Sequence, residues 1–591
     1  MKKRKVIIFG ASNLGNIAYN VLKDKYEICY FSDNNKEKWG KVFNGLEIIA
    51  PNKLYKIINK GFKIIIASMY YKEISRQLQN SELKEIYNFC YCDANDKTYK
   101  KRYSVDKIID NKIYDDIKLD EKFKNKFKSD FSLIYKLKDQ NLYFKDKQYK
   151  KNGKKVLMVS YIFPPIGGGG VQRTLKFVKY LKFFKWEPIV VTVGKSFYDD
   201  EEDKTLLEEI PRDVKIIRID HNYFNSLQLN PEKIQQITDL IYGIIDDKLL
   251  MKKFIFNVRN GEEILCPDIY IGWVNILLSE LEDKISLNSI DLIYTTGSPF
   301  SDHIAGFYIK KKYHIPWIAD FRDEWTNSPY SKLLYKNNIF RYNFEKFMEN
   351  NIVNYADKVI TVTPISRSNY IKNFALRNNK VVTITNGYDE DDFKYIDSRE
   401  QFKKFIITYC GSMYLNRLPE NFIVAINQLI IEKKINIDIF KINFIGKIDL
   451  PILEVIHKLD VYNLVKTKGY LSHNNCLYEL KNSSLLFLPI GKEQKFKSIY
   501  TGKLFEYLRL YKPILSLSPK GSLVEQLLNL TRSGKNFEYE DINGIKRYIF
   551  EIYTNWLNGN KKFNPNKEII RKYERKNLTK RLVEVFDNVL N

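Results

Sequence analysis

The sequence predicts an α/β chain built on parallel sheets: two larger nucleotide-type domains preceded by a third, smaller one. Three openings carry that expectation, at Val6, Lys155 and Phe405. Each sets a short apolar run before a glycine-containing turn and a helical segment, which is how a parallel α/β sheet begins. A chain of 591 residues is also too long for one core and calls for several domains.

The first opening runs Val6 to Phe9, then Gly10-Ala-Ser-Asn-Leu-Gly15. β-like runs at Ile28–Phe31 and Lys63–Ala67 follow, making residues 1–100 a small Rossmann-like domain. Residues 101–153 are rich in Lys, Asp, Asn and Tyr without a clear period and read as a connector. The second opening is Lys155–Ser160, then Pro164-Pro165 and Gly167–Gly170. Leu175, Val178 and Leu181 recur behind it at helical spacing. Strands are expected at 188–193, 292–295, 317–319, 358–362 and 381–384, so residues 154–395 form one domain. The third opening, Phe405–Tyr409 then Cys410-Gly411, starts residues 396–565, with strands near 443–445, 465–469 and 485–488. One amphipathic helix, from about Lys567 to Leu590, closes the chain over 566–591.

Composition narrows the class. The chain is 44% hydrophobic and 28% charged, ordinary for globular domains. No apolar run reaches the roughly 18 residues of a membrane helix. The basic amino end leads into an apolar run too short for a signal peptide, so a cytoplasmic location is expected. Cys29, Cys90, Cys92, Cys266, Cys410 and Cys476 are scattered, with no zinc spacing. The net charge of +26 has three readings: solvated surface from a Lys/Asn-biased composition, attraction to an anionic membrane face, or nucleic-acid binding. The third lacks any nucleic-acid module, and no nucleic-acid partner is expected.

Seven segments stand in one order: SYIFPPIGGGGVQR (160–173), TTGSPFSDHIAG (295–306), IPWIADFRDEW (315–325), ADKVITVTPISRSNYI (356–371), ITNGYDEDDF (384–393), YCGSMYLNR (409–417) and GKLFEYLRLYKPIL (502–515). On these, residues 154–590 resemble the retaining glycosyltransferases of family 4, in the bacterial cell-surface polysaccharide branch. The resemblance implies the GT-B fold: two facing Rossmann-like domains with the active site in the cleft between them. Donor binding would fall mostly to the second domain, and the final helix would cross back onto the first. It implies a nucleotide-diphosphate sugar as donor, a glycan or lipid-linked acceptor, and no required cofactor or metal.

Such chemistry needs fixed positive groups and backbone donors, because negative charge grows on the leaving diphosphate. Gly168 and Gly169, at a helix amino end, can offer N–H groups to it. Lys503 and Glu506 share a helix face behind Gly502; the family's glutamate here binds donor ribose hydroxyls, which assigns that role to Glu506. The family's other glutamate, eight positions earlier, is Ser498 in this chain. Gly411 and Arg417 follow the first strand of the second domain, and a family arginine there neutralises phosphate. The lysine expected five positions on is Phe422. The expected catalytic set is His303, Arg417 and Lys503. Asp320, Arg322 and Asp323 read either as a cleft wall on the acceptor side or as an ion-pair network that locks the turn. Asp389–Asp392 could suggest a metal, but the resemblance places them in a loop before the hinge.

In the amino-terminal domain, Gly10 and Gly15 approximate a dinucleotide fingerprint, with Asp33 about 20 residues on where a ribose contact would fall. Nucleotide binding and a purely structural module both remain open. Two other functions compete with transfer: a sugar-nucleotide epimerase of the same architecture, and a non-catalytic glycan-binding or assembly subunit.

Overall fold

The computed structural model describes residues 5–11, 13–24, 26–58, 63–67, 74, 86–88, 153–194, 202–221, 231–259, 264–328, 335, 338–394, 404–414, 417–460, 463–559 and 563–591. Apart from Gly153, the connector expected at 101–153 lies outside the described residues, as do Ser12, Cys90 and Cys92. The chain divides into two compact units. The first comprises Met1–Lys151, His221–Asn275 and Tyr330–Met348, and the second the remainder.

In the first unit, β1 (Lys5–Phe9), α1 (Asn13–Leu22), β2 (Glu27–Ser32), β3 (Val42–Phe43), β4 (Leu46–Ile49), α2 (Pro51–Ile58), β5 (Lys63–Ile66) and β6 (Ile86–Asn88) build a six-stranded sheet in the order β3-β4-β2-β1-β5-β6. β1 is apolar without alternation because both its faces are covered: Ile7 and Phe9 enter one core cluster, Val6 and Ile8 the other. The unit also holds α4 (Pro231–Ile245) and α5 (Lys248–Arg259). Phe254 of α5 stacks on Phe344 at 4.2 Å between ring centroids.

The second unit holds two parallel sheets. The first has the order β13-β12-β11-β10-β7-β8-β9, from β7 (Lys154–Val159), β8 (Trp186–Val193), β9 (Lys215–Ile219), β10 (Leu292–Gly297), β11 (Trp317–Phe321), β12 (Lys358–Thr361) and β13 (Val381–Thr383). Of the helices between them in the chain, α3 (Gly169–Leu181), α7 (Ser301–Tyr313) and α9 (Pro364–Asn373) lie within this unit, and α6 (Ile271–Lys284) and α8 (Ile339–Tyr355) belong to it only from Ile276 and Glu349 onward. The second sheet has the order β16-β15-β14-β17-β18-β19, from β14 (Phe405–Cys410), β15 (Phe440–Ile445), β16 (Val465–Lys468), β17 (Leu485–Pro489), β18 (Ile514–Leu517) and β19 (Gly534–Phe537). Its helices are α10 (Glu420–Ile431), α11 (Leu450–Leu459), α12 (His473–Lys481), α13 (Gly502–Arg509), α14 (Leu523–Thr531) and α15 (Ile542–Leu557). Both sheets are doubly wound, and each reverses direction once: at β7/β10 and at β14/β17. Ligands of such sheets bind in the crevice at the carboxyl ends of the strands where the order reverses. The protein therefore has the two-Rossmann GT-B arrangement, with a smaller sheet at the amino end.

Two expectations are corrected. The strand expected to end at Ala319 runs on to Phe321, with Asp320 opposite Thr296 and Phe321 opposite Gly297; Asp320 is thus inside the sheet, fully buried. The closing helix is two helices, α16 (Lys567–Arg571) and α17 (Arg575–Leu590). The chain breaks between them because Glu574 bridges to Tyr388: Tyr388 N–H donates to Tyr573 O at 3.1 Å, and Arg575 N–H to Tyr388 O at 2.7 Å. From there α17 seats Leu578, Leu582 and Phe586, all fully buried, in the core of the first sheet with Trp186 and Tyr294. Burying each such side chain is worth about 1.5–3 kcal/mol, which ties the chain's end to the first half.

Candidate functional site

The first switch point is formed by the loops after β7 and β10. Gly168 has φ of 91°, a left-handed geometry that favours glycine, and it caps α3, whose first residues Gly169 and Gly170 are exposed. Arg322 holds this turn in place. Its Nη1 donates to Gly170 O and its Nη2 to Ser298 O, while its own N–H donates to Gly297 O at 2.8 Å. The arginine thus joins the two loops on either side of the reversal. Asp323, next in sequence, is exposed.

Asp320 does not pair with Arg322. It receives Arg173 of α3 in a two-pronged contact, Nε at 2.6 Å and Nη2 at 3.1 Å, and the hydroxyl of Tyr294. Arg173 also donates to Thr385 O and Ile384 O, each at 2.8 Å. Both charges are fully buried and fully hydrogen-bonded, the condition under which a buried pair is tolerated. This pair joins α3 to β11 and the loop beyond β13.

His303, on α7, is completely buried. Thr295 Oγ1 accepts from Trp317 Nε1 at 2.9 Å and lies 2.7 Å from His303 Nδ1. Nε2 is sealed against Gly297 without a hydrogen-bond partner. Burial, with Arg322 nearby, pushes the imidazole down to about 3; it is a neutral ring at physiological pH.

The second switch point carries the loop after β14 and the helix α13. Lys503 and Glu506, neighbours in helical spacing, do not pair. Lys503 Nζ donates to Tyr409 Oη at 3.0 Å and stands over that ring at 4.7 Å. It packs against Gly411, whose φ of 129° and lack of a side chain admit it. Glu506 Oε1 lies 2.9 Å from His473 Nε2 at the start of α12, with side chains 21% and 17% exposed. Burial works against the charge on His473, but the Glu506 carboxylate, its hydrogen bond and Asp392 outweigh it and push the imidazole up to about 9. Burial likewise opposes ionisation of Glu506, and His473 and Arg575 hold its carboxyl below the usual range. At neutral pH this is an imidazolium–carboxylate pair, partly open to solvent. Arg417 is 8% exposed. Its Nε donates to Ile490 O and its Nη1 to Ser412 O, both at 3.2 Å, so it spans the reversal between β14 and β17 much as Arg322 does in the first half. Gly502 opens α13 and has open space where a side chain would stand.

The acidic run after β13 meets cations on both sides. Lys176 Nζ lies 2.9 Å from Asp389, 2.6 Å from Asp392 and in contact with Glu209. Lys179 pairs with Asp389 and Asp391, at 2.7 and 2.9 Å. From the second half, Arg509 Nε donates to Glu390 at 2.6 Å. The carboxylates of Glu209, Asp389 and Asp392 stand within 4.8 Å of one another, but the ammonium of Lys176 already serves as their counter-charge. The run therefore works as an electrostatic fastening of α3 and α13 to the hinge loop.

In the amino-terminal sheet, Asp33 accepts from Ala11 N–H at 2.9 Å, Asn35 N–H at 2.8 Å and Lys38 Nζ at 3.1 Å. Both its oxygens are engaged in holding the turn that begins at Gly10, and Gly15 packs directly on Gly10 O.

The structure thus brings Gly168, Gly169 and Arg322 together at one reversal, and Gly411, Arg417, Lys503 and Glu506 at the other. Sequence reasoning missed His473, Lys176 and Arg575. No local spacing marks them: His473 and Lys176 acquire their roles from partners more than 30 residues away, such as Glu506 for His473, and Arg575 from its place at the start of α17.

The chain is similar to several known proteins. Residues 2–87 match the family described as C2185-like, N-terminal. No curated protein matches the chain. Among solved structures, a glycosyltransferase from Rickettsia africae ESF-5 is similar at 17% identity, covering 74% of this chain and 99% of that one, with a TM-score of 0.48. A sucrose-phosphate synthase from Thermosynechococcus elongatus follows at 11%, 74% and 99%, with 0.49. HepE of Anabaena, in complex with UDP and glucose, is similar at 14%, 73% and 99%, with 0.45. Residues 257–392 match Glycosyltransferase Family 4.

Proposed function

We propose that the protein is a glycosyltransferase that moves a sugar from a nucleoside-diphosphate sugar to a glycan or lipid-linked acceptor in cell-surface polysaccharide synthesis. The observation that carries this reading is Glu506: a carboxylate at the second switch point, held ionised by His473 and one turn from Lys503. A carboxylate accepts two hydrogen bonds from a cis-diol, which suits a ribose. Lys503 beside Gly411 is the cation for the diphosphate, where charge grows as the leaving group departs. Arg417, with two of its nitrogens on backbone carbonyls, positions the loop and adds positive charge. Opposite them, the exposed amino end of α3 supplies N–H groups suited to an anion. His303 lies behind the acceptor-side loop as a neutral imidazole. Asp320 and Arg322 act by holding that wall in shape. Retention of anomeric configuration is the expectation from the family segments.

An acceptor at an anionic membrane face is supported by α5. Leu249 and Phe256, seven residues apart on one face, are 72% and 66% exposed, and Lys248, Lys252 and Lys253 flank them. Among the described residues no helix is long and apolar enough to cross a membrane.

The test is a screen of uridine, guanosine and thymidine diphosphate sugars with purified protein, with and without a membrane extract as acceptor source. Sugar transfer that needs the extract and disappears in Glu506→Ala is the expected result. An epimer formed from donor alone refutes transfer in favour of isomerisation, and a folded protein that neither binds nor consumes any donor refutes both.

A further inference from the structure

Among the described residues, Arg575 is the one charge of this site whose position the fold does not account for. It is 4% exposed, and its Nη1 is sealed from solvent without a hydrogen-bond partner. Among the described residues its side chain forms no hydrogen bond or ion pair. The other buried arginine of this region, Arg173, shows the contrast: a carboxylate and two carbonyls take its donors. A guanidinium nitrogen sealed from water with no acceptor loses its hydration and recovers nothing in exchange. The carboxylates nearest in electrostatic terms, Glu506, Asp389 and Asp392, attract it only through space. Each is committed elsewhere, Glu506 to His473 and the aspartates to Lys176 and Lys179. Burial, and then repulsion from Arg173, hold Arg575 down to about 10, well below the usual arginine range.

Its backbone is nonetheless fixed. Arg575 is the first residue of α17, its N–H bonded to Tyr388 O at the crossing between the two halves, and Thr579 Oγ1 donates to its carbonyl at 2.8 Å. The chain holds an unsatisfied cation beside Glu506 at the point where the first half, the hinge loop and the closing helix meet.

We propose that Arg575 is an anion-binding residue of the donor site, its guanidinium taking the diphosphate of the nucleoside-diphosphate sugar. This rests on the reading of Glu506 as the donor's carboxylate contact. The planar guanidinium matches phosphate oxygens in paired contacts, and a diphosphate supplies the acceptors that the protein withholds. Because the residue lies on the helix that returns to the first half, the diphosphate also bridges the two halves when bound.

Calorimetric titration of the full-length protein and its Arg575→Met and Arg575→Lys variants with UDP, GDP and dTDP, and with the matching nucleosides, tests this. Melting temperatures are taken without ligand. Wild type binds at least one diphosphate more tightly than its nucleoside. Arg575→Met weakens that diphosphate by about ten- to a hundredfold, the usual loss for a hydrogen bond to a charged group, and leaves the nucleoside unchanged. Arg575→Lys recovers part of the loss. The unliganded Met variant melts no lower than wild type, because an uncompensated charge has left the interior. Equal diphosphate binding by wild type and the Met variant overturns the inference and leaves the donor reading standing. A proportional loss for nucleoside and diphosphate also overturns it, by assigning Arg575 to the frame. A wild type that binds no diphosphate overturns both.

Discussion

Replacing His473 by glutamine isolates the charge in the pair that holds Glu506. Glutamine keeps a donor but cannot be protonated, so the carboxylate loses an ionic partner and retains a neutral one. In the wild type the imidazole is raised from 6.5 to about 9 on folding. At about 1.36 kcal/mol per pH unit, that rise corresponds to about 3 kcal/mol of stability. A folded-state value above the unfolded one means this contribution is present in full below pH 6.5 and lost as the pH climbs through 9. Wild type should therefore exceed His473→Gln by about 3 kcal/mol at pH 6, and the two should converge by pH 10. For a domain of the size of the second half, about 2–4 °C per kcal/mol makes this a melting difference of roughly 6–12 °C at pH 6. Thermal melting of both proteins across pH 6–10, with NMR titration of the histidine ring, measures it. A difference that stays flat across that range, or a His473 midpoint near 6.5, would refute an ionised pair at this site.

Three further outcomes follow from the same geometry. Glu506→Gln should weaken nucleoside-diphosphate-sugar binding by about 1.5–3 kcal/mol, the scale of charge-assisted hydrogen bonds, and should lower the His473 titration midpoint towards 6.5; titration calorimetry and NMR read the two effects. Asp320→Asn leaves Arg173 buried without its carboxylate and should destabilise the protein by about 3–5 kcal/mol, seen as a large fall in melting temperature with no change in pH profile. Gly411→Ala forces a side chain into a left-handed conformation at a cost of order 1–3 kcal/mol and displaces Lys503, so donor affinity should fall more than stability; unchanged binding would remove Lys503 from the phosphate site.

Much of this protein is determined locally. The apolar runs that precede the turns at Gly10, Gly167 and Gly411 read as strands feeding helices, because each is short and mostly apolar and is followed by a glycine-containing turn. Those signals set Gly168, Gly169 and Gly411 in the turns behind first strands, whereas the reversals of the sheets are fixed by strand pairing. Tertiary structure decided the partners. Lys503 and Glu506 stand at ion-pair spacing on one helix, yet the first turns to Tyr409 and the second to His473. Asp320 and Arg322 are two residues apart, yet strand pairing points Asp320 inward to Arg173 and leaves Arg322 to join two loops. The break before Arg575 has no local cause at all; it exists because Glu574 meets Tyr388. Backbone propensity and burial pattern are properties of neighbours along the chain, whereas the compensation of a buried charge depends on whichever group the fold brings within about 3 Å, and those groups here lie tens to hundreds of residues apart.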